Sequence, residues 1–163
     1  YQLPIVILRP FMVYGPGQPE GKLIPYVIHS LLDGRPPKIS SGDQLVDFVF
    51  VDDVISGMIL AATAKGIEGQ TIDLGSGVAV PIRTMVEEIT SLIRANASPQ
   101  YAGTEGRPFQ TLRIADPEPA RRLLGWQAST SVTDGLRRTI QYLQDRRAMP
   151  AGIDEDQRTG LVY

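Results

Sequence analysis

Few side chains in this sequence could do chemistry, and their types limit which chemistry. Among 163 residues there is no cysteine and a single histidine, His29. Thiolate nucleophiles, disulfides and Cys-ligated zinc are therefore excluded, as is a metal site built on several histidines. Asp52 and Asp53 are adjacent and could form a carboxylate pair, although helix capping explains them more simply. Gly75-Ser76-Gly77-Val78-Ala79-Val80 is the nearest approach to a dinucleotide-binding loop. It lacks the third glycine of G-x-G-x-x-G, and Val78 to Pro81 lead late into a helix, so a tight strand-to-helix turn is the simpler reading. Neither a P-loop nor a G-x-S-x-G elbow is present. His29 lies in an apolar helical pattern and reads as a packed or surface residue. Trp126, after Gly125, reads as a core anchor. Arg107 stands between Gly106 and Pro108 in a polar stretch. A guanidinium held in such a loop can clamp a phosphate or carboxylate; the alternative is a solvated surface charge.

These residues are spaced along an alternation of short strands and amphipathic helices. Ile5 to Leu8 is an unbroken apolar run, which reads as a strand buried on both faces inside a parallel sheet. Such a strand needs neighbours, and the chain opens at Tyr1 without a methionine, so a preceding portion is expected. Tyr14 to Pro19 is loop punctuation. Lys22 to Asp33 has helical periodicity through Leu23, Ile24, Val27, Ile28 and Leu31, with Gly34 as its stop. Lys38 to Ser40 and Asp47 to Val51 are predicted strands, and Asp52 or Asp53 is expected to cap a helix over Val54 to Ala62. Gln70 to Leu74 is a further strand. Pro81 to Arg94 is a long amphipathic helix, and Pro99 to Ala102 is a short extended piece. Residues 103–111 form a polar loop. Pro117 to Leu124 is a helix with Asp116 at its start and Arg121 and Arg122 near its end, an order that suits the helix dipole. The last helix spans Thr133 to Arg147, and the rest is expected to be a loose tail.

Composition narrows the partners. Hydrophobic residues make up 42% and charged residues 21%, enough apolar material for a packed core. Lys and Arg total 16 against 18 for Asp and Glu, a net charge of −2. No basic nucleic-acid surface is expected from this balance. No apolar run approaches the ~20 residues that cross a bilayer, so no membrane partner is expected. The start, Tyr1-Gln2-Leu3-Pro4, has no positive leader pattern.

Seven segments, in order, resemble one family. They are Leu8 to Gln18, Lys22 to Pro25, Gly42 to Val54, Gly69 to Gly77, Gly106-Arg107-Pro108, Ala115 to Trp126, and Asp134-Gly135-Leu136 with Thr139 and Tyr142. Together they are similar to the C-terminal half of the extended short-chain dehydrogenase/reductases, the NAD-dependent sugar-nucleotide epimerase/dehydratase family. The resemblance implies an α/β fold: the last strands of a Rossmann-like parallel sheet plus a small α/β substrate-binding subdomain over residues 1–147, with 148–163 as a tail. It implies NAD or NADP as cofactor of the complete protein, with none held tightly by this portion alone. The cofactor loop and the catalytic Tyr-x-x-x-Lys pair would lie upstream of residue 1, leaving no catalytic residue here and no metal.

By position, Pro10, Phe11, Met12 and Val13 would line the nicotinamide side of the cleft. Tyr14, Lys22, Leu23, Pro25, Ile39, Val46 and Arg107 would face a nucleotide-sugar. The sequence departs from the family at two of these places. Met12 stands where the family has asparagine, and Val46 where it has arginine, so polar contacts to a standard nucleoside-diphosphate sugar are lost. A less charged sugar, or another carbonyl compound, then becomes a possible substrate. The resemblance further implies a cytoplasmic, homodimeric parent enzyme. The alternative reading is a stand-alone ligand-binding or interaction module on the same fold, without redox activity.

Overall fold

A computed structural model describes residues 3–102 and 113–148. The polar loop, Arg107 and the tail beyond Ala148 lie outside the described residues. The strands are β1 (Ile7–Pro10), β2 (Met12–Tyr14), β3 (Lys38–Ile39), β4 (Leu45–Phe50), β5 (Thr71–Leu74), β6 (Ala79–Pro81) and β7 (Gln100–Tyr101). The helices are α1 (Leu23–Leu32), α2 (Val51–Thr63), α3 (Ile82–Ile93), α4 (Pro117–Leu124) and α5 (Val132–Ala148).

Three small sheets result. β1 pairs in parallel with β5, from Ile7 opposite Thr71 to Pro10 opposite Leu74. β2 pairs in parallel with β4, which in turn pairs antiparallel with β6. β3 and β7 form a two-stranded parallel pair. The antiparallel β6 is a departure from the sequence reading, which left Ala79 to Pro81 in the turn leading to the helix. Its residues extend because Val46 and Leu45 offer backbone partners to Val80 and Pro81, an opportunity that lies some 35 positions upstream and that no local pattern reports.

The alternation along β4 divides the interior in two. Val46, Phe48 and Phe50 point into the larger core, shared with α1, α3 and α5. Val49 points the other way, into a smaller core with Val54, Ile72, Leu74 and Trp126. Trp126 anchors that second core as expected: its indole N–H donates to the Asp53 carbonyl at 2.9 Å and to Ser56 Oγ at 3.0 Å.

Two expectations fail here. The first apolar run is not buried on both faces: Ile5 is 54% and Ile7 56% exposed. β1 has only β5 beside it among the described residues, so just Val6 and Leu8 reach the smaller core. Nor does Asp52 or Asp53 cap α2. β4 runs directly into the helix, whose N-cap is Phe50. The two aspartates sit in the first turn, where the helix dipole still favours them. Asp52 pairs with Arg138. Asp53 accepts from Ser129 Oγ at 2.9 Å and from the Thr130 amide at 3.0 Å, which ties α2 to the segment leading into α5.

Tyr14 is the hub of the larger core. Its ring stands edge-on to Phe48 and Phe50, with centroids 6.2 and 5.6 Å away. Its hydroxyl points at the Val132 carbonyl, 3.4 Å away. Burial, with Asp53 and Asp134 nearby, pushes the phenol up to about 12. Gly135 makes room for it: a Cβ there would lie 2.3 Å from Tyr14 Oη and 2.9 Å from Phe50 Cδ2.

Gly135→Ala should therefore cost about 1–3 kcal/mol through overpacking. Gly21→Ala, where a Cβ meets nothing within 4 Å, should change stability by less than about 0.5 kcal/mol. Urea unfolding of both variants checks the contrast. A second expectation concerns pH. The fold holds Tyr14 neutral and raises its pKa above that of the unfolded chain. Its contribution is thus complete below about pH 10 and is lost as pH rises from 10 towards 12. Tyr14→Phe, compared with the native protein by unfolding between neutral pH and this range, should show a shallower alkaline loss.

Candidate functional site

β1 and β2 are separated by one residue, Phe11, and at that residue the chain changes sheets. The Phe11 amide still donates to the Leu74 carbonyl at 3.0 Å, the last bond of the β1–β5 pair. The Val13 amide then turns back to the Phe11 carbonyl at 2.9 Å, and β2 continues beside β4. Where parallel strands end and the chain parts to different neighbours, a crevice opens beyond their C-terminal ends. Here it is an open groove of about 990 Å³. Its walls are Arg9 to Met12, Gln44 to Asp47, Asp73, and Arg113 with Ile114.

The groove thus gathers four of the residues expected at a ligand site: Pro10, Phe11, Met12 and Val46. Met12 is 51% exposed and presents a bare thioether to it. The others lie elsewhere. Val13 is half-buried beside the smaller core, and Tyr14, at 2% exposure, belongs to the larger core rather than to the groove wall. Lys22 is exposed just before α1, Leu23 is half-buried and Pro25 is buried within it. Ile39 is 5% exposed and packs in the larger core. His29, near the end of α1, has its Nε2 4.0 Å from Glu20 Oε1 and does not line the groove.

Two carboxylates that hold the groove together went unnoticed in the sequence. Asp47 is 1% exposed. Its Oδ1 accepts from the Ser76 amide at 2.8 Å and Ser76 Oγ at 2.6 Å; its Oδ2 accepts from the Gly77 amide at 3.0 Å and the Ala115 amide at 2.9 Å. Charge-assisted bonds of this kind are the strong ones. Asp73, 6% exposed, accepts from Arg9 Nε at 2.7 Å and from the Asp116 amide at 3.2 Å. Both lie inside apolar strand patterns, Leu45 to Phe50 and Thr71 to Leu74. A charge in such a place must have partners waiting, and that was the available signal. Gly75 lets the strands close on Asp47, since a Cβ there would sit 2.5 Å from Ala115 Cβ and 2.8 Å from Asp47 Oδ2.

The same network decides what the Gly75-Ser76-Gly77 turn can do. The amides of Ser76 and Gly77 already donate to Asp47, so the turn offers no phosphate cradle. Pro10, Phe11 and Met12 line the groove, and the turn's filled amides leave no cradle for a diphosphate there. Among the described residues no group of three potential ligands could hold a metal ion, and no helix is long and apolar enough to cross a membrane.

A strand-end groove in an α/β chain, walled by Pro10 to Met12, is the setting of a small-molecule site of Rossmann-like proteins. Comparison with known proteins narrows the class. The model of the NAD dependent epimerase/dehydratase family matches residues 1–75. The UDP-glucose 4-epimerase of Mycolicibacterium smegmatis is 30% identical over 150 residues, covering 90% of this chain and 47% of the relative. The dTDP-glucose 4,6-dehydratase of Neisseria gonorrhoeae is 31% identical over 159 residues, covering 90% of this chain and 46% of the relative. Among solved structures, the Bacillus cereus UDP-glucuronic acid 4-epimerase with UDP-glucuronic acid and NAD superposes with a TM-score of 0.78. It is 31% identical, over 88% of this chain and 46% of that one. The chain therefore spans about half the length of the relatives it matches.

Replacing Asp47 with alanine would leave four donors without their acceptor. Asp47→Ala is expected to lower stability by at least about 2 kcal/mol, read as a drop in the urea midpoint.

Proposed function

We propose that this chain is the C-terminal, substrate-side portion of an NAD(P)-dependent sugar-nucleotide epimerase, dehydratase or reductase. The observation that carries the reading is the groove at the β1–β2 switch. It gathers Pro10 and Phe11, at the C-terminal end of β1 where parallel strands of α/β folds take their ligands, with Met12 and with Val46 near the start of β4. The match of residues 1–75 to the NAD dependent epimerase/dehydratase family supports it. So does the apolar surface left bare: Ile5 and Ile7 about β1, and Ile55 and Ile59 on α2, at 48% and 60% exposure. A cofactor-binding portion packed there would cover these side chains.

In this reading the chain's own residues bind and orient. Phe11 and Met12 would hold the nicotinamide end of the cofactor, which would supply hydride acceptance and return. Val46 and Met12 leave the groove with fewer polar contacts than its relatives would have. Arg107, assigned from sequence, clamps a phosphate, and Lys22, exposed just before α1, serves the nucleotide end. The proton-transfer pair and the cofactor loop belong to the upstream portion. The complete enzyme is expected to be cytoplasmic and homodimeric.

Calorimetry on the full-length protein and on the 163-residue chain tests the proposal. The full-length protein should bind NAD(H) or NADP(H) and a UDP- or dTDP-sugar. Arg107→Ala should weaken the sugar nucleotide by more than about tenfold. NAD binding at micromolar affinity by the 163-residue chain alone would overturn the division of labour.

A further inference from the structure

Two cations line the groove, and they are not equivalent. Arg9 is neutralised, with its Nε donating to the Asp73 carboxylate at 2.7 Å. Arg113 is exposed, and it makes no hydrogen bond or ion pair with any described residue. Asp47 also lines the groove but makes no ion pair with Arg113; its carboxylate oxygens accept from Ser76, Gly77 and Ala115. The groove therefore offers one unengaged guanidinium among its described residues.

The chain just beyond Arg113 is anchored. Two residues on, the Ala115 amide is held by Asp47; one residue further, the Asp116 amide is held by Asp73 at 3.2 Å. Asp116 then caps α4 by accepting from the Glu118 amide at 3.1 Å. Two buried carboxylates, Asp47 of β4 and Asp73 of β5, thus hold the backbone two and three residues after Arg113. The facing wall is apolar where it matters, with Val46 and Met12 offering no competing donor. A guanidinium presents a planar fork of donors that matches a carboxylate or phosphate.

We infer that Arg113 is the residue through which this groove takes an oxyanion of its ligand, a carboxylate or a phosphate, with Asp47 and Asp73 setting its place. This rests on the sugar-nucleotide reading above and adds an oxyanion contact within the groove to the phosphate contact proposed for Arg107. The chemistry is shared by two sources: the carboxylate of a uronic acid, or the diphosphate common to all sugar nucleotides.

The test compares Arg113→Gln with the native full-length protein, titrating UDP-glucuronate, UDP-glucose and UDP by calorimetry, with thermal unfolding as the check on folding. Because Arg113 is exposed and makes no pair with any described residue, the variant should unfold at the native temperature. A loss of about tenfold or more confined to UDP-glucuronate supports the inference and assigns the carboxylate. A similar loss for all three ligands supports it and assigns the diphosphate. Unchanged affinities for all three overturn it while leaving the sugar-nucleotide reading intact. If the native protein binds none of them, that reading falls and the inference falls with it.

Discussion

The groove exists because one carboxylate is buried where a strand would ordinarily place an aliphatic side chain. Asp47 sits in the middle of β4, almost without solvent, and takes donors from two distant segments, the turn after β5 and the approach to α4. An ion in that position is tolerable only while its hydrogen-bonding capacity is filled. Each of its donors comes from backbone or from a short serine side chain, so their positions are set by the fold and not by flexible side chains. The charge thereby locks three pieces of chain around a single point. Asp73 repeats the arrangement one strand away with Arg9 and Asp116.

That locking has a cost in available chemistry. A glycine-flanked turn between a strand and a helix is a natural anion site, because its amides point outwards. Here those amides are filled from within by Asp47, so the turn is structural. The cations that line the groove are two arginines, Arg9 and Arg113. The division between the two cores makes the same point about shape. β4 faces both, with aromatic residues on one side and Asp47 and Val49 on the other, so the groove lies on the seam between the cores and inherits its rigidity from each.

Much of this was legible from local pattern. The helices over Lys22 to Asp33, Pro81 to Arg94, Pro117 to Leu124 and Thr133 to Arg147 are found within one or two residues at each end, because their apolar spacing and their stops are local. Trp126 was legible as a core anchor for the same reason. The burial of Ile5 to Leu8 was not, since an apolar run reports the preference of a strand for cover and not whether cover is present. The capping roles of Asp52 and Asp53 were misread because β4 enters α2 without a loop, leaving both aspartates inside the first turn, where Arg138, Ser129 and Thr130 claim them from far along the chain.

The amino-acid order alone determined the alternation of strands and helices, the absence of thiol and multi-histidine chemistry, and the likeness to a family of sugar-nucleotide enzymes. These depend on residue types and short spacings. Tertiary structure alone decided which of the named residues meet. It brought Pro10, Phe11, Met12 and Val46 to one groove and kept Tyr14 and Ile39 in the core. It also revealed Asp47 and Asp73 as the groove's supports and put Arg113 on its lining without a partner among the described residues. The physical reason is that a buried charge is defined by its partners, and those partners lie 29 to 68 positions away, beyond the reach of any local pattern.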